Sequence, residues 1–450
     1  MLKNNKNNST SDAISKDMWK IAIPAVLANL STPLLGLSDS FIMGHMSHER
    51  YLAAVALGAM LFSILYNGVN FLRMGTTGLS AQAHGRDDEL SLNQLIIRGS
   101  ISGAIIGLIF IALQNQIADL FFMFIKTEEA VLALSREYFT IRIWGAPFAL
   151  MTYVASGWLL GLGRAKQVLY IHLYMNVSNI ALNFLFVYGY GMTADGVALG
   201  TVLSESSAFF LCLYFVKTET NKNFKLPLFA TKVLENILAL SAFKTLFTLN
   251  RDIFIRTLCL TMTMASFTVL GTRFGVEILA ANAVLMNLQS LTAYGLDGFA
   301  QAAEVLVGKQ IGRKSKTSLR TAVIVSSKYA IFTALAFTSF YFLFGEAIIN
   351  MLTNIETIRS ISNDYLIWVI ILPVLSIWSF QLDGIFIGAT AGSDMRNGMT
   401  LSTILYVICI YTLVPMWGNH GLWASYTIFI VIRAITLAIK YPAIERRAEL

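Results

Sequence analysis

Long apolar runs alternate with short polar stretches along the whole of this 450-residue sequence. A helix needs about 20 apolar residues to cross about 30 Å of hydrocarbon, whereas a membrane β-barrel shows short alternating segments. The pattern therefore predicts an all-α membrane protein with twelve spans, over 19–45, 51–75, 93–118, 132–160, 166–190, 195–217, 245–271, 277–304, 321–345, 361–388, 397–417 and 421–440.

Composition agrees with this pattern. Hydrophobic residues make up 56% of the chain, charged residues 13%, and the mean hydropathy is +0.64. A soluble domain has no use for so much apolar surface, because a single core stops growing well below this length. The sequence lacks HExxH, GxSxG and a glycine-rich phosphate loop, so we expect neither an enzyme nor a bound cofactor.

The net charge of +7 does not indicate a nucleic-acid partner, because the basic residues gather in alternate loops. Examples are Arg164 with Lys166, and the stretch from Lys309 to Arg320. This distribution follows the positive-inside rule. With twelve spans, it predicts that both termini lie in the cytoplasm.

The two halves of the chain repeat with a constant offset of 227 residues. Under that offset GWLLG (157–161) falls on GIFIG (384–388), and Gly85-Arg86 falls on Gly312-Arg313. Each half holds six predicted spans, so the copies run parallel, an arrangement that recurs in transporters. The predicted organisation is a cytoplasmic tail (1–18), an N-terminal six-helix lobe (19–217), a cytoplasmic linker (218–240), a C-terminal six-helix lobe (241–440) and a cytoplasmic tail (441–450).

One carboxylate, Asp39, interrupts the first apolar run in LLGLSDSFIMG (34–44). A charged side chain at mid-bilayer costs about 2.5–3.5 kcal/mol on insertion scales. Desolvation disfavours the charged form of a carboxyl group, so a buried acid can bind and release a proton. The offset of 227 places Ser266 opposite Asp39, so the acid occurs in the N-terminal half only and a functional role is favoured.

The chain resembles the multidrug and toxic compound extrusion (MATE) family, and within it the DinF-like branch. The resemblance rests on PLLGLSDSFIMGH (33–45), FLRMGTTGLSAQAHG (71–85), NRDIFIRTL (250–258), VLGTRFGVEILAANAVLM (269–286), YGLDGFAQAAE (294–304) and FQLDGIFIGAT (380–390). It implies a twelve-helix antiporter of the bacterial inner membrane. Such a protein exports organic, often cationic, compounds in exchange for H⁺ or Na⁺.

The resemblance also implies a set of ion-coupling residues. Archaeal DinF-like proteins use an Asp on the first span, an Asn and an Asp four apart on the fifth, and a Thr on the sixth. The matching positions here are Asp39, Asn179, Asn183 and Thr201, and Asn183 departs from the pattern because it carries no charge. One carboxylate, two amides and a hydroxyl make a weak Na⁺ cage but suffice for a proton. We therefore expect H⁺ coupling, with Na⁺ as the alternative ion.

Further acids lie within the apolar spans. Asp297 and Glu304 are seven residues apart on the eighth predicted span and share a helix face, and Asp383 is on the tenth. They are candidates for a C-lobe cation site or for the substrate path, and Glu205 on the sixth span is a further acid of this kind. Asp252 and Arg256 have the i,i+4 spacing of a helical ion pair.

A binding cavity for varied compounds would use aromatic and methionine side chains, for which Tyr66 and Met286 are candidates. The expected partners are the lipid bilayer and a small organic cation or amphipathic molecule, handled by a monomer. An alternative is a flippase for lipid-linked substrates, as found in the wider superfamily that includes MATE proteins. Such flippases have a more cationic cavity, whereas the candidates here are mainly acidic.

Overall fold

The computed structural model of the chain describes residues 2–46, 48–235 and 237–449. Nearly all of these residues are helical, and none of them lies in a β-strand. Within the described residues, twelve helical segments are long and apolar enough to span a membrane, which confirms the predicted fold class. They are Ser11–Gly44, Glu49–Gly85, Glu89–Ala112, Glu129–Gly161, Ala165–Gly189, Ala194–Asn223, Leu246–Phe274, Val276–Gly312, Lys316–Leu352, Glu356–Gly388, Gly392–Trp417 and Asn419–Arg447.

One compact unit comprises Leu30–Leu246. It contains the second part of α1 (Leu2–Gly44), then α2 (Glu49–Gly68), α3 (Phe71–Gly85), α4 (Glu89–Ala112), α5 (Gln114–Phe122), α6 (Glu129–Arg142), α7 (Ala146–Gly161), α8 (Ala165–Phe184), α9 (Ala194–Asn223) and α10 (Thr231–Leu234). We call it the N-unit.

The other compact unit comprises Met1–Asn29 and Phe247–Leu450. It contains the first part of α1, α11 (Leu240–Gly271) from Phe247 onward, and then α12 (Val276–Gly312), α13 (Lys316–Leu352), α14 (Glu356–Gly388), α15 (Gly392–Trp417) and α16 (Asn419–Arg447). We call it the C-unit. Residues 19–29 thus group with the C-terminal helices. The predicted boundaries of the lobes, the linker and the tails stay a prediction.

The repeated glycines pack in the same way in the two units. A methyl group on Gly157 would collide with the carbonyl oxygen of Arg73, and one on Gly384 with the carbonyl oxygen of Ala300. Both pairs are related by the offset of 227 residues. Small residues at such crossings let two helix backbones approach closely in a membrane. The repeat seen in the sequence therefore recurs as a repeated crossing, of α7 with α3 and of α14 with α12.

Three spans of the N-unit are interrupted. The second span breaks between α2 and α3, at residues 69–70, and the fourth contains a 3₁₀ segment, Ile143–Gly145, between α6 and α7. The fifth ends in a π-helical turn, Leu185–Gly189. Interruptions of these kinds often mark functional hinges.

Both predicted tails include residues that continue the neighbouring helix. Residues 11–18 belong to α1, the side chains of Ile14 and Met18 are buried, and the hydroxyl groups of Ser15 and Tyr329 lie 2.7 Å apart. At the other end α16 continues to Arg447, and Ile444 is buried. The apolar residues in these polar stretches allow them to extend the adjoining spans.

Candidate ion-coupling site

Asp39 lies inside the N-unit, on α1, and is only 4% exposed. Its carboxylate accepts a hydrogen bond of 2.7 Å from Nδ2 of Asn183 on α8. Among the residues that the structure describes, no ion pair with Asp39 is formed. The immediate partner of this buried acid is therefore a neutral amide.

The other predicted coupling residues continue from this contact. Asn183 also donates to Oδ1 of Asn179 (3.1 Å), one turn away on α8, and Asn179 donates to Oγ1 of Thr201 on α9 (3.0 Å). The Thr201 hydroxyl in turn donates to the carbonyl oxygen of Val197 (2.9 Å). The structure thus brings all four predicted residues into one buried chain of hydrogen bonds across α1, α8 and α9.

Two charged residues that the coupling set did not include, Arg142 and Glu205, are buried in the same cluster. Arg142 is 7% exposed and Glu205 is 6% exposed, and both interact electrostatically with Asp39. Arg142 Nη2 lies 3.5 Å from Glu205 Oε1, and the hydroxyl of Tyr66 donates to Glu205 Oε2 over 3.4 Å. Tyr66, a substrate-path candidate from the sequence, therefore belongs to this cluster.

The signal for these residues was present in the sequence. Arg142 interrupts the predicted span 132–160 and Glu205 interrupts the predicted span 195–217, as Asp39 interrupts the first. An intramembrane ionisable residue is a functional candidate with a partner to be named. Sequence alone does not show which of the scattered acids and bases meet, because the spans that carry them are far apart along the chain.

The C-unit contains a buried carboxylate with different partners. Asp383 on α14 forms ion pairs with Arg256 on α11 and with Arg433 on α16, and all three side chains are buried. The carboxylate of Asp383 is thus compensated by two guanidinium groups and has no surplus negative charge for an external cation.

The expected pairing of Asp252 with Arg256 is wrong. Asp252 pairs instead with Arg251 (2.9 Å) and Arg396 (2.7 Å). The helical spacing permits the predicted pair, but Arg256 points into the C-unit, where Asp383 offers a buried partner.

The remaining candidates also lie in the C-unit. Asp297 is half-buried and accepts hydrogen bonds from Asn29 (3.2 Å) and Gln301 (2.8 Å). It interacts electrostatically with Arg256 and Arg433. Glu304 is buried at the close crossing of α12 and α14, and Met286 is a half-buried member of the apolar core.

Comparison with known proteins identifies the family. The model of the MatE family matches residues 24–185 and 253–412, one range in each half of the sequence. The DNA damage-inducible protein F of Escherichia coli is 37% identical over 423 residues, which cover 94% of this chain and 91% of that protein. The chain belongs to the MATE family. It is therefore an efflux transporter and a multi-pass membrane protein, not an enzyme.

Two more distant similarities agree with this assignment. A probable multidrug resistance protein NorM of Agrobacterium fabrum is 26% identical to this MATE transporter over 446 residues, covering 95% and 93% of the two chains. A crystal structure of a MATE protein in the bent conformation matches the fold with a TM-score of 0.82, at 21% identity and over 98% and 99% of the chains.

Proposed function

We propose that this protein is a proton-coupled antiporter that exports small organic cations across the bacterial inner membrane, with Asp39 as the proton-coupling residue. The curated relatives include probable multidrug resistance proteins, which supports a drug-like cargo. Both termini face the cytoplasm, as the positive-inside distribution favours. Coupling to Na⁺ is the less favoured alternative.

The burial of Asp39 beside a neutral amide is the observation that carries the proposal. The transfer of a carboxylate away from water favours its protonated form, and a fixed cation at its side would oppose protonation. Asn183 can form a hydrogen bond with either the ionised or the protonated form of Asp39, because an amide has donors and an acceptor. Its Nδ2 donates to the carboxylate, while its Oδ1 faces Gly200 and has no hydrogen-bond partner among the described residues, so rotation of the amide would present an acceptor to a carboxyl O–H.

The transport cycle then follows from alternating access. Cargo binds from the cytoplasm while Asp39 is ionised, and a proton from the outside neutralises Asp39 in the outward-open state. Protonation reverses the Asp39–Asn183 hydrogen bond and weakens cation binding. Coupling requires that proton and cargo bind the two states with different affinities. The membrane potential supplies about 2.3 kcal/mol per charge per 100 mV.

Each unit contains its own candidates for contact with the cargo. Tyr66 belongs to the cluster around Asp39. Asp297 is a half-buried carboxylate that accepts hydrogen bonds from two side-chain amides. Met286 offers a soft apolar surface, whereas Glu304 and Asp383 are buried. We therefore place direct contact with a cationic cargo at Tyr66, Asp297 and Met286 before Glu304 and Asp383.

Transport by the purified protein in proteoliposomes tests the proposal. Efflux of a fluorescent organic cation is followed first under an imposed pH gradient and then under a Na⁺ gradient at constant pH. We expect the pH gradient alone to drive efflux in the wild type. Asp39→Asn should reduce this efflux by about a hundredfold or more, as expected when a group that acts in every cycle is removed, while its thermal unfolding stays close to that of the wild type.

Other outcomes would overturn parts of the proposal. If Asp39→Asn transports as fast as the wild type at equal expression, Asp39 is not the coupling residue. If only the Na⁺ gradient drives efflux, the coupling ion is wrong. If neither gradient moves the cation while a lipid-linked anionic substrate is translocated, the protein is a flippase.

A further inference from the structure

The cluster around Asp39 contains a second carboxylate that the proposed cycle does not use. We propose that Glu205 is a second proton-binding site, and that Asp39 and Glu205 share Arg142 as their counter-ion, so that the three groups together hold one proton. This inference rests on the proposed function of Asp39. It assigns roles to two residues, Glu205 and Arg142, that the match to the archaeal proteins does not include.

Glu205 is held loosely for a buried acid. Its contacts with Arg142 (3.5 Å) and with Tyr66 (3.4 Å) are both longer than an ordinary charge-assisted hydrogen bond of about 2.7–2.9 Å. The carboxylate occupies space left by Gly145, where an added Cβ would lie 2.8 Å from Glu205 Oε2. The residue is thus enclosed without being fixed by a short ionic contact.

Arg142 is likewise not committed to one acid. Its closest hydrogen bond, 2.8 Å, goes to the hydroxyl of Tyr138, and its guanidinium carbon lies 4.4 Å from the ring centre of Phe62. Its Nε is buried and has no hydrogen-bond partner within the described part of the chain. A guanidinium held by a ring and a phenol can be attracted by either carboxylate.

The other described side chains that make polar contacts with Glu205, Arg142 and Asp39 are formally neutral. The phenols of Tyr66 on α2, Tyr138 on α6 and Tyr153 on α7 interact with Glu205, with Arg142 or with both. On α8 the cluster presents the amides of Asn179 and Asn183. Among the described residues, the charges that interact with Glu205 are those of Arg142 and of Asp39 on α1, while Arg73 on α3 interacts with Tyr153 and not with either acid.

Charge balance then determines how the cluster behaves. With both acids ionised, the two carboxylates and one guanidinium carry a net charge of −1. An uncompensated buried charge is costly, so the cluster binds one proton or one external cation. When Asp39 holds the proton, Arg142 neutralises Glu205; when Glu205 holds it, Arg142 neutralises Asp39.

The Arg142–Glu205 pair lies at the break in the fourth span, where proton exchange between Asp39 and Glu205 would change the partner of Arg142. Arg142 is the last residue of α6, and the 3₁₀ segment Ile143–Gly145 follows it directly. Glu205 contacts the two ends of this segment, at Arg142 and beside Gly145. A change in the partner of Arg142 would therefore act on the backbone at the break in the fourth span.

Two variants distinguish an effect of the net charge of the cluster from a purely structural effect of Glu205. Glu205→Gln leaves Asp39 alone with Arg142, a pair that is neutral without a proton, so pH-driven efflux should fall by about tenfold or more. The double variant Arg142→Gln/Glu205→Gln leaves Asp39 as the sole charge and restores the net charge of −1. Its pH-driven efflux should return to within about threefold of the wild type, an interaction that only the double-mutant cycle reveals.

A buried acid elsewhere on α9 gives a matched control. Glu219 pairs with Arg164 through a contact of 2.7 Å, outside the cluster, so Glu219→Gln should leave pH-driven efflux near the wild-type rate. Glu205→Asp, which keeps a titratable acid, should transport better than Glu205→Gln. The pH dependence of efflux should shift in both Glu205 variants, which a purely structural role would not produce.

The results distinguish this inference from the proposed function. It is overturned if Glu205→Gln transports with the wild-type pH profile while Asp39→Asn is inactive, because Asp39 then works alone. It is also overturned if the double variant is as impaired as Glu205→Gln or more so, since restored charge balance then has no effect. If the wild type shows no pH-driven efflux, the proposed function itself fails.

Discussion

Asp39 in the N-unit and Asp383 in the C-unit are both buried aspartates, yet their surroundings differ in charge. The hydrogen-bond donor to Asp39 is the neutral amide of Asn183, and Arg142, the cation that interacts with Asp39 in the described part of the chain, is shared with Glu205. Asp383 instead pairs with both Arg256 and Arg433. The N-unit cluster therefore has two carboxylates for one paired guanidinium, whereas the carboxylate of Asp383 is compensated by two guanidinium groups.

This difference supports the proposal that Asp39, and not Asp383, changes its protonation state. A proton on Asp383 would leave two guanidinium groups facing a neutral group, and that cost opposes protonation. A proton on Asp39 removes a surplus charge from the N-unit. The close helix crossings at Gly157 and Gly384 are the same in the two units, so the units share their packing and differ in their charges.

Replacement of each aspartate by asparagine should give the largest contrast. Asp383→Asn leaves two buried arginines without their carboxylate, which should lower the free energy of unfolding by about 3–5 kcal/mol. Asp39→Asn removes a surplus charge and should change stability little. Denaturant titration of the two proteins in mixed micelles measures the difference.

The asymmetry between the aspartates would be refuted by equal losses of stability in the two variants. Asp383→Asn/Arg433→Gln serves as the control, because it removes one cation together with the carboxylate. It should recover part of the lost stability, since one unpaired charge then remains where the single variant leaves two.

The glycine crossings provide the complementary test, in which the two units should respond alike. Gly157→Ala and Gly384→Ala each force a methyl group against a backbone carbonyl, so each should destabilise the protein by about 1–3 kcal/mol. Gly36→Ala on α1 is the control, because an added Cβ there meets no atom within 4 Å. A large loss in one unit only would show that the two crossings are not equivalent.

The fold was accessible from the sequence because its signals are local or strictly periodic. Hydropathy located the twelve spans, and the constant offset placed GWLLG on GIFIG, which the structure shows at equivalent crossings. Span ends were less predictable. The third span was predicted over 93–118, but the helix runs from Glu89 to Ala112 and a separate helix begins at Gln114.

The charged groups were only partly predictable. The match to the archaeal proteins selected Asp39, Asn179, Asn183 and Thr201, and the structure brings them together. Neither Arg142 near Asp39 nor Arg433 beside Asp383 was anticipated, because such pairs depend on how distant spans rotate against each other. The Asp252–Arg256 prediction failed for the same reason: spacing on one helix does not show which face meets another helix.

Substitution of Thr201, at the far end of the hydrogen-bond chain that starts at Asp39, should give the smallest effect. Thr201 accepts a hydrogen bond from Asn179 and thereby orients the amide that Asn183 contacts. Thr201→Val keeps the shape of the side chain but removes this acceptor, and a single hydrogen bond is worth about 0.5–1.5 kcal/mol. We expect pH-driven efflux to fall by about threefold to tenfold, whereas Thr201→Ser, which retains the hydroxyl, should stay near the wild type. Equal rates in Thr201→Val and the wild type would mean that the Thr201 hydroxyl is not needed to orient Asn179, and the functional cluster would then end at Asn179.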